Sequence, residues 1–203
     1  MDKQELFHPR VFDNREWAIG YYKRNSKNIT RVGKRFASLL KEKGFKGGRI
    51  LDTGCGFAAV PIELAKAFPD ADITGIDLGD PLLDLGRELI DKEGLNKQIN
   101  LIKGNVEKLD FDDNSFDLIV NTFMLHIVNQ PVKMLNETER VAKKEGNIML
   151  TDLNRGFFAL MMKKFRTSYT IDEALAIIKQ SDIRKGKLSK GLFWYDYLCF
   201  SHS

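Results

Sequence analysis

Two glycines and two aspartates carry the first suggestion of chemistry in this chain. The run 49–58, RILDTGCGFA, closes an apolar stretch at Ile50 and Leu51, turns polar at Asp52, and then places Gly54 and Gly56 one residue apart. Pro61 and the periodic Leu64, Ala65 and Phe68 predict a helix that opens between Ala58 and Pro61. A strand, a glycine turn and a helix start in that order let backbone N–H groups approach a ligand closely, because glycine leaves empty the space a Cβ would fill. A plain strand-to-helix turn favours glycine too, so the pair needs support. Asp77 supplies it, 25 residues after Asp52 and at the end of the apolar run 71–77, ADITGID. A carboxylate there can accept hydrogen bonds from both hydroxyls of a ribose. The other reading is an acid that leads the helix beginning near Asp80.

Other polar residues fall at matching places. Gly104, Asn105, Val106 and Glu107 follow the apolar run 99–103, and Asn121, Thr122 and Phe123 close the run 116–121. Thr151, Asp152 and Asn154 close the run 147–152. The Asn105 amide offers donor and acceptor together, as an adenine edge requires, although asparagine is common in strand-end turns. His126, within FMLHIV, is the candidate general base, since a neutral imidazole suits that task near neutral pH. Its alternative is packing against the following helix. Asp152 and Asn154 are candidate substrate-facing groups. Cys55 reads as a small packing residue inside the turn rather than a nucleophile.

The elements that must position these residues alternate. Asp80 as N-cap and Pro81 open a helix that Gly94 ends; Pro131 opens another through Met134, Leu135 and Val141, which Gly146 stops before the strand 147–152. Thr170-x-x-Glu173 is a capping box for a helix through Leu175, Ile177 and Ile178. The β-rich runs 182–188 and 192–201 are joined by Ser189-Lys190-Gly191, a spacing that makes them an antiparallel pair. At the other end, residues 1–13 read as irregular, and Trp17, Tyr21 and Tyr22 as a short helix. A second helix then runs from Ser26 through Ile29, Val32, Phe36, Leu39 and Leu40 to a closing Gly44. The three aromatics either pack on the core or form a lid that brings Tyr22 to a substrate. Strands alternating with helices predict an α/β fold: a doubly wound, mostly parallel seven-stranded sheet whose last strand lies antiparallel beside the fifth. In such a sheet, ligands sit outside the carboxyl ends of the strands, where the polar residues above gather.

At 203 residues with 43% hydrophobic and 30% charged content, the chain reads as one globular domain rather than a disordered one. Its parts would be a helical cap over 1–47, a ligand-binding core over 48–154, and an insert with the closing strands over 155–203. No apolar run reaches the length of a membrane span, and MDKQELFHPR lacks the apolar core of a secretory leader. Cys55 and Cys199 form neither a disulfide framework nor a metal-ligand spacing, which predicts a reducing, cytoplasmic setting and no metal. The net charge of +4 hides a pattern: Lys and Arg outnumber Asp and Glu by 12 to 5 in 1–48 and 9 to 4 in 155–203, while 49–154 is acidic, 11 against 19. Basic flanks either form solvated surface or frame a mouth that attracts an anionic substrate or nucleic acid.

The motifs ILDTGCGFA, TGID, GNVEKLDFDDNSFDLIVNTFMLHIV and LNETERVAKKEGNIMLTDL together resemble class I S-adenosylmethionine-dependent methyltransferases. The nearest branch is the small-molecule one related to the ubiquinone-biosynthesis and sterol enzymes. The resemblance covers roughly residues 48–154. It implies that Asp52, Gly54 and Gly56 line the methionine part of S-adenosylmethionine. Asp77 would hold the ribose and Asn105 with Val106 the adenine, with Leu78 a further cofactor contact. The backbone carbonyl of Asn121 would lie near the methionine amino group. Ala58 stands where the family usually has a third glycine, and Asn105 where aspartate is commoner; both keep the small size or the acceptor that the place requires. The missing third glycine and the absence of a long substrate domain argue against a nicotinamide enzyme.

The implied activity is methyl transfer to a small molecule. The sulfonium methyl is already activated, so alignment and exclusion of water supply much of the barrier reduction, about 7–11 kcal/mol in favourable cases. A base such as His126 is needed only for an acceptor that arrives protonated. The alternatives are an RNA methyltransferase, suggested by the basic flanks, and a non-catalytic binding subunit of the same fold. Against the first, no Asn-Pro-Pro-Tyr-type motif follows the fourth strand and no RNA-binding module is appended; against the second, the glycine turn and acidic strand end are intact. The expected partner is a small molecule and not RNA or a membrane, bound by a monomer or homodimer. The segment 155–167, with its FFALMMKKF, reads as a core helix or an apolar wall of the substrate site.

Overall fold

The computed structural model describes residues 14–155 and 166–200. Its strands are β1 (Arg49–Thr53), β2 (Asp72–Asp77), β3 (Ile99–Lys103), β4 (Phe116–Thr122), β5 (Ala142–Leu153), β6 (Lys187–Lys190) and β7 (Trp194–Cys199). They form one seven-stranded sheet in the order β3-β2-β1-β4-β5-β7-β6. The pairs from β3 through β5 are parallel, and β7 runs antiparallel to both β5 and β6. This is the predicted architecture. The most apolar strands, β1 and β4, take the centre, where both faces are covered.

Alternation along each strand divides the core in two. Ile50, Val120 and Met149 face α1 (Arg15–Glu42), α2 (Ala59–Ala67) and α3 (Asp80–Lys92), packing with Phe36, Leu40, Leu64 and Leu83. Leu51, Ile119 and Leu150 face α4 (Pro131–Val141) and α5 (Ile171–Gln180), packing with Met134, Leu135 and Ile178. Polar residues of odd and even position therefore part company as well, and the site is divided accordingly.

Four local expectations meet the structure differently. The two N-terminal helices are one, because nothing between Trp17 and Ile29 breaks it; Asn14 caps it by accepting from the Trp17 N–H at 3.1 Å. Gly44, at φ +77°, ends it as expected. The N-cap of α3 is Gly79, and Asp80 is already helical, its carboxylate 2.5 Å from Lys103 Nζ. Gly146 does not stop α4, since the helix ends at Val141 and β5 begins at once. The register against β4 jumps from Phe116↔Ala142 to Leu118↔Asn147, and Gly146 lies in that bulge, where a Cβ would press on Phe116 O at 2.9 Å. Residues 182–186 precede the hairpin rather than joining it, held to α4 where the Asp182 and Arg184 N–H groups donate to Asn136 and Glu139. The Thr170–Glu173 capping box forms with both of its bonds, 2.8 and 3.2 Å. The expectations for 1–13 and for FFALMMKKF lie outside the described residues.

One long-range tie fixes α1 across the sheet. The Arg35 guanidinium forks onto the buried Asp196 of β7, with Nη2 2.8 Å from Oδ1, on the face where Thr151 stands opposite Asp196. The N-terminal half of α1 thereby reaches over the carboxyl edge of β1.

Candidate active site

Strand order reverses between β1 and β4, which opens a crevice at their carboxyl ends. The turn after β1 is built there from the backbone. Gly54 and Cys55 N–H both donate to Ile76 O, at 2.8 and 3.0 Å, with Gly54 at φ +82°. Asp77 grips the turn from β2: its Oδ2 accepts from Gly56 N–H and its Oδ1 from Gly79 N–H, each at 2.9 Å. Burial raises the Asp77 carboxyl above its ordinary value, and those N–H bonds oppose the rise. Ala58, at the place of the third glycine, takes the left-handed conformation at φ +62° and is fully buried.

Asp52 is 1% exposed, and its Oδ1 has no hydrogen-bond partner. Burial, with the charge of Asp77 second, pushes its carboxyl up to about 8. Thr122 Oγ1 is buried and unpaired on the same face of the sheet. Both border a cavity of about 30 Å³ beside Gly54 and Gly56, closed from α1 by Tyr21. Tyr22 instead packs edge-on against Phe57, ring centres 5.2 Å apart. Met124 overlies Gly54 so closely that a Cβ on Gly54 would overlap its side chain. Burial raises the Cys55 thiol well above its ordinary value, which leaves it protonated and inert.

The outer cofactor candidates flank this crevice. Leu78 is 47% exposed just after β2. Asn105 is exposed, its Oδ1 accepting from Glu107 N–H at 2.9 Å, and Val106 is buried beside it. The Asn121 amide turns the other way, donating to Thr53 Oγ1 at 2.9 Å and contacting Met134 of α4, so its main chain is the part left for the crevice.

A second polar group lies at the end of β5. His126 Nδ1 is 2.5 Å from Asp152 Oδ1, and the His126 N–H donates to Asp152 Oδ2 at 3.0 Å. Leu153 N–H also donates to Oδ1, at 2.6 Å. A carboxylate accepts only, so it fixes the proton on Nδ1 and leaves Nε2 as an acceptor. Asp152 is thus occupied in orienting His126. Asn154 N–H continues the sheet by donating to Phe193 O at 3.0 Å. Tyr195 stands opposite Asp152 in the ladder, and Arg155, next along the chain, is bound to Glu173.

Met124, Tyr195 and Arg155 escaped the sequence reading, whereas Tyr21 is among the core-or-lid aromatics and Thr122 among the strand-end polar residues named above. Arg155 had a signal, as a polar residue just past a strand end; Met124 and Tyr195 acquire their places only through tertiary packing. A larger hollow of about 410 Å³, between 69–72 and 94–98, lies at the amino ends of β2 and β3, away from all of these groups.

A family model described as a methyltransferase domain matches residues 45–190. Demethylmenaquinone methyltransferase of Listeria welshimeri is 35% identical over 111 residues, 54% of this chain and 47% of that one. The protein of that name from Geobacillus kaustophilus is 38% identical over 102 residues, 50% of this chain and 43% of that one. The chain thus spans about half the length of the curated relatives it matches. Among solved structures, an S-adenosylmethionine-dependent methyltransferase from Aquifex aeolicus superposes with a TM-score of 0.69 at 26% identity, over 79% of this chain and 86% of that one. A Methanococcus maripaludis protein shares the fold over 96% of both chains, with a TM-score of 0.77 at 20% identity.

Proposed function

The chain belongs to the methyltransferase-domain family, with S-adenosylmethionine as cofactor, and on that premise we propose that it methylates a small-molecule acceptor by direct displacement. The observation that supports this most is the buried, unpaired carboxylate of Asp52 beside the Gly54–Gly56 turn. A buried carboxylate without a partner is costly, and the ammonium of the methionine part satisfies it. Gly54 leaves room for that part to approach. Asp77 accepts one N–H on each oxygen and keeps lone pairs for the ribose hydroxyls. Leu78, Asn105 and Val106 flank the adenine, and the Asn121 main chain faces the amino group.

A cavity of about 30 Å³ is far smaller than the several hundred Å³ that such ligands fill. Met124 must therefore leave Gly54, and Tyr21 with the N-terminal half of α1 must yield.

When bound, S-adenosylmethionine supplies a methyl group already activated on a sulfonium. The chain's own task is to align the acceptor, exclude water and remove a proton. His126 Nε2 takes that proton from an acceptor whose attacking atom arrives protonated, and Asp152 stabilises the resulting imidazolium. Tyr22 and Asn154 stand on the acceptor side. The test is to incubate the chain with methyl-tritiated S-adenosylmethionine and a small-molecule extract. Label should enter the organic phase, and Asp152→Asn should lower the rate while leaving cofactor affinity unchanged. Label in added RNA instead would favour an RNA acceptor, and a bound cofactor with no transfer at all would favour a binding subunit.

A further inference from the structure

Three buried side chains near the end of β5 carry polar atoms with no partner: Tyr195 Oη, Arg155 Nη1 and Ser168 Oγ. Tyr195 is 1%, Arg155 6% and Ser168 0% exposed. They belong to one neighbourhood. Arg155 N–H donates to Tyr169 O at 2.9 Å, and Ser168 is the residue before Tyr169. Tyr195 pairs with Asp152 across the ladder, and its phenol lies within reach of the Asp152 charge and close to Tyr169. Burial first, and the Asp152 charge second, hold its proton on, so Tyr195 is a donor. The guanidinium of Arg155 is a donor only. Unmet donors out of reach of water cost free energy that a bound acceptor atom returns.

We propose that Tyr195 Oη and Arg155 Nη1 bind a carbonyl oxygen of the methyl acceptor, so that the acceptor is a neutral, hydroxylated carbonyl compound. The assignment rests on the methyl-transfer reading above and adds the substrate class to it. Charge decides against an anion. The Arg155 cation is already matched by Glu173, and Asp152 adds a further carboxylate nearby, so an acceptor carboxylate would be repelled. An uncharged carbonyl oxygen, with two lone pairs, can accept from both donors without that repulsion. The hydroxyl of the same molecule gives its proton to His126 Nε2, which the shared Asp152 holds in the acceptor tautomer. Asp152 bonds His126 and stands opposite Tyr195 in the ladder, so an acceptor and a donor share it, as a molecule with both functions requires.

The test compares three probes of one shape, each titrated into the chain with S-adenosylhomocysteine bound: para-hydroxyacetophenone, para-ethylphenol and para-hydroxybenzoate. The ketone should bind at least about tenfold more tightly than either of the others, the step expected for one hydrogen bond to buried donors. Tyr195→Phe and Arg155→Met should each erase most of that preference while S-adenosylhomocysteine binds as before, which also shows that the variants fold. Equal binding of the three probes overturns the proposal. So does a preference for the benzoate, a preference that survives both substitutions, or no binding of any probe. Failure of S-adenosylhomocysteine to bind the wild-type chain is a different result, which removes the methyl-transfer reading and this one with it.

Discussion

Asp52→Asn separates the role of the buried carboxylate from that of its shape. In the folded chain Asp52 is 1% exposed and its carboxyl is pushed up to about 8, against an ordinary aspartate value of about 4 in the unfolded chain. The folded state therefore holds a proton that the unfolded state has released between those values. The stability linked to Asp52 is complete below about pH 4 and falls as pH rises toward about 8, by about 1.4 kcal/mol per pH unit. Asp52→Asn removes that slope, so urea titrations at several pH values should show the wild type losing stability relative to the variant as pH rises. Cofactor affinity runs the opposite way. Pairing an ionised Asp52 with an ammonium releases a proton from the free chain, so the wild-type dissociation constant should fall about tenfold per unit below about pH 8. Above that range the ligand's own amino group, with an ordinary value of about 7.7–8.0, loses its charge and affinity declines. The variant should lose roughly 1.5–3 kcal/mol of binding, one to two decades, together with the rising limb of the pH profile. Parallel stability curves and a shared pH profile for the two proteins would refute the reasoning.

Other substitutions probe the frame around the site. Asp77→Ala frees the Gly56 and Gly79 N–H groups and removes the ribose acceptor, so calorimetry should show cofactor binding weakened at least about tenfold, with unchanged affinity as the failing result. Arg35→Met leaves Asp196 as a buried, unpaired charge and should cost about 3–5 kcal/mol in urea denaturation. Adding Asp196→Leu should recover most of it, and a double variant no better than the single would contradict that account. If the basic flanks are solvated surface, filter binding should detect no RNA association even at low salt; binding that weakens steeply with added salt would show the opposite.

Much of the fold and site is legible in the sequence, for physical reasons that differ by residue. β2 and β3 sit where their apolar runs end on Asp77 and Lys103, and Thr170 with Glu173 forms a cap because both partners lie within one turn. Asp52, Gly54, Gly56 and Asp77 were legible as a group because each lies at a strand end, and strand ends of a parallel sheet converge. What escaped depends on contacts that sequence spacing does not encode. The continuity of α1 through Ser26 rests on the absence of a breaker rather than on any positive signal. The start of β5 at Ala142 is hidden because AKKEG is polar and bulged from the ladder. His126 and Asp152 were each singled out, yet their pairing across 26 residues depends on how β4 and β5 are registered. Tyr195 and Arg155 become notable only once burial strips them of water.

The crevice beside Gly54 is where the cofactor must bind. Calorimetric titration of S-adenosylmethionine into the wild-type chain and into Gly54→Val tests it most directly. Gly54 stands at φ +82°, and a side chain there would fill the space over which Met124 now lies. The wild type should bind the cofactor at a single site, and Gly54→Val should abolish that binding or weaken it by at least a decade while the chain stays folded by circular dichroism. Equal affinity in the two proteins, or no binding to the wild type, would contradict the central claim.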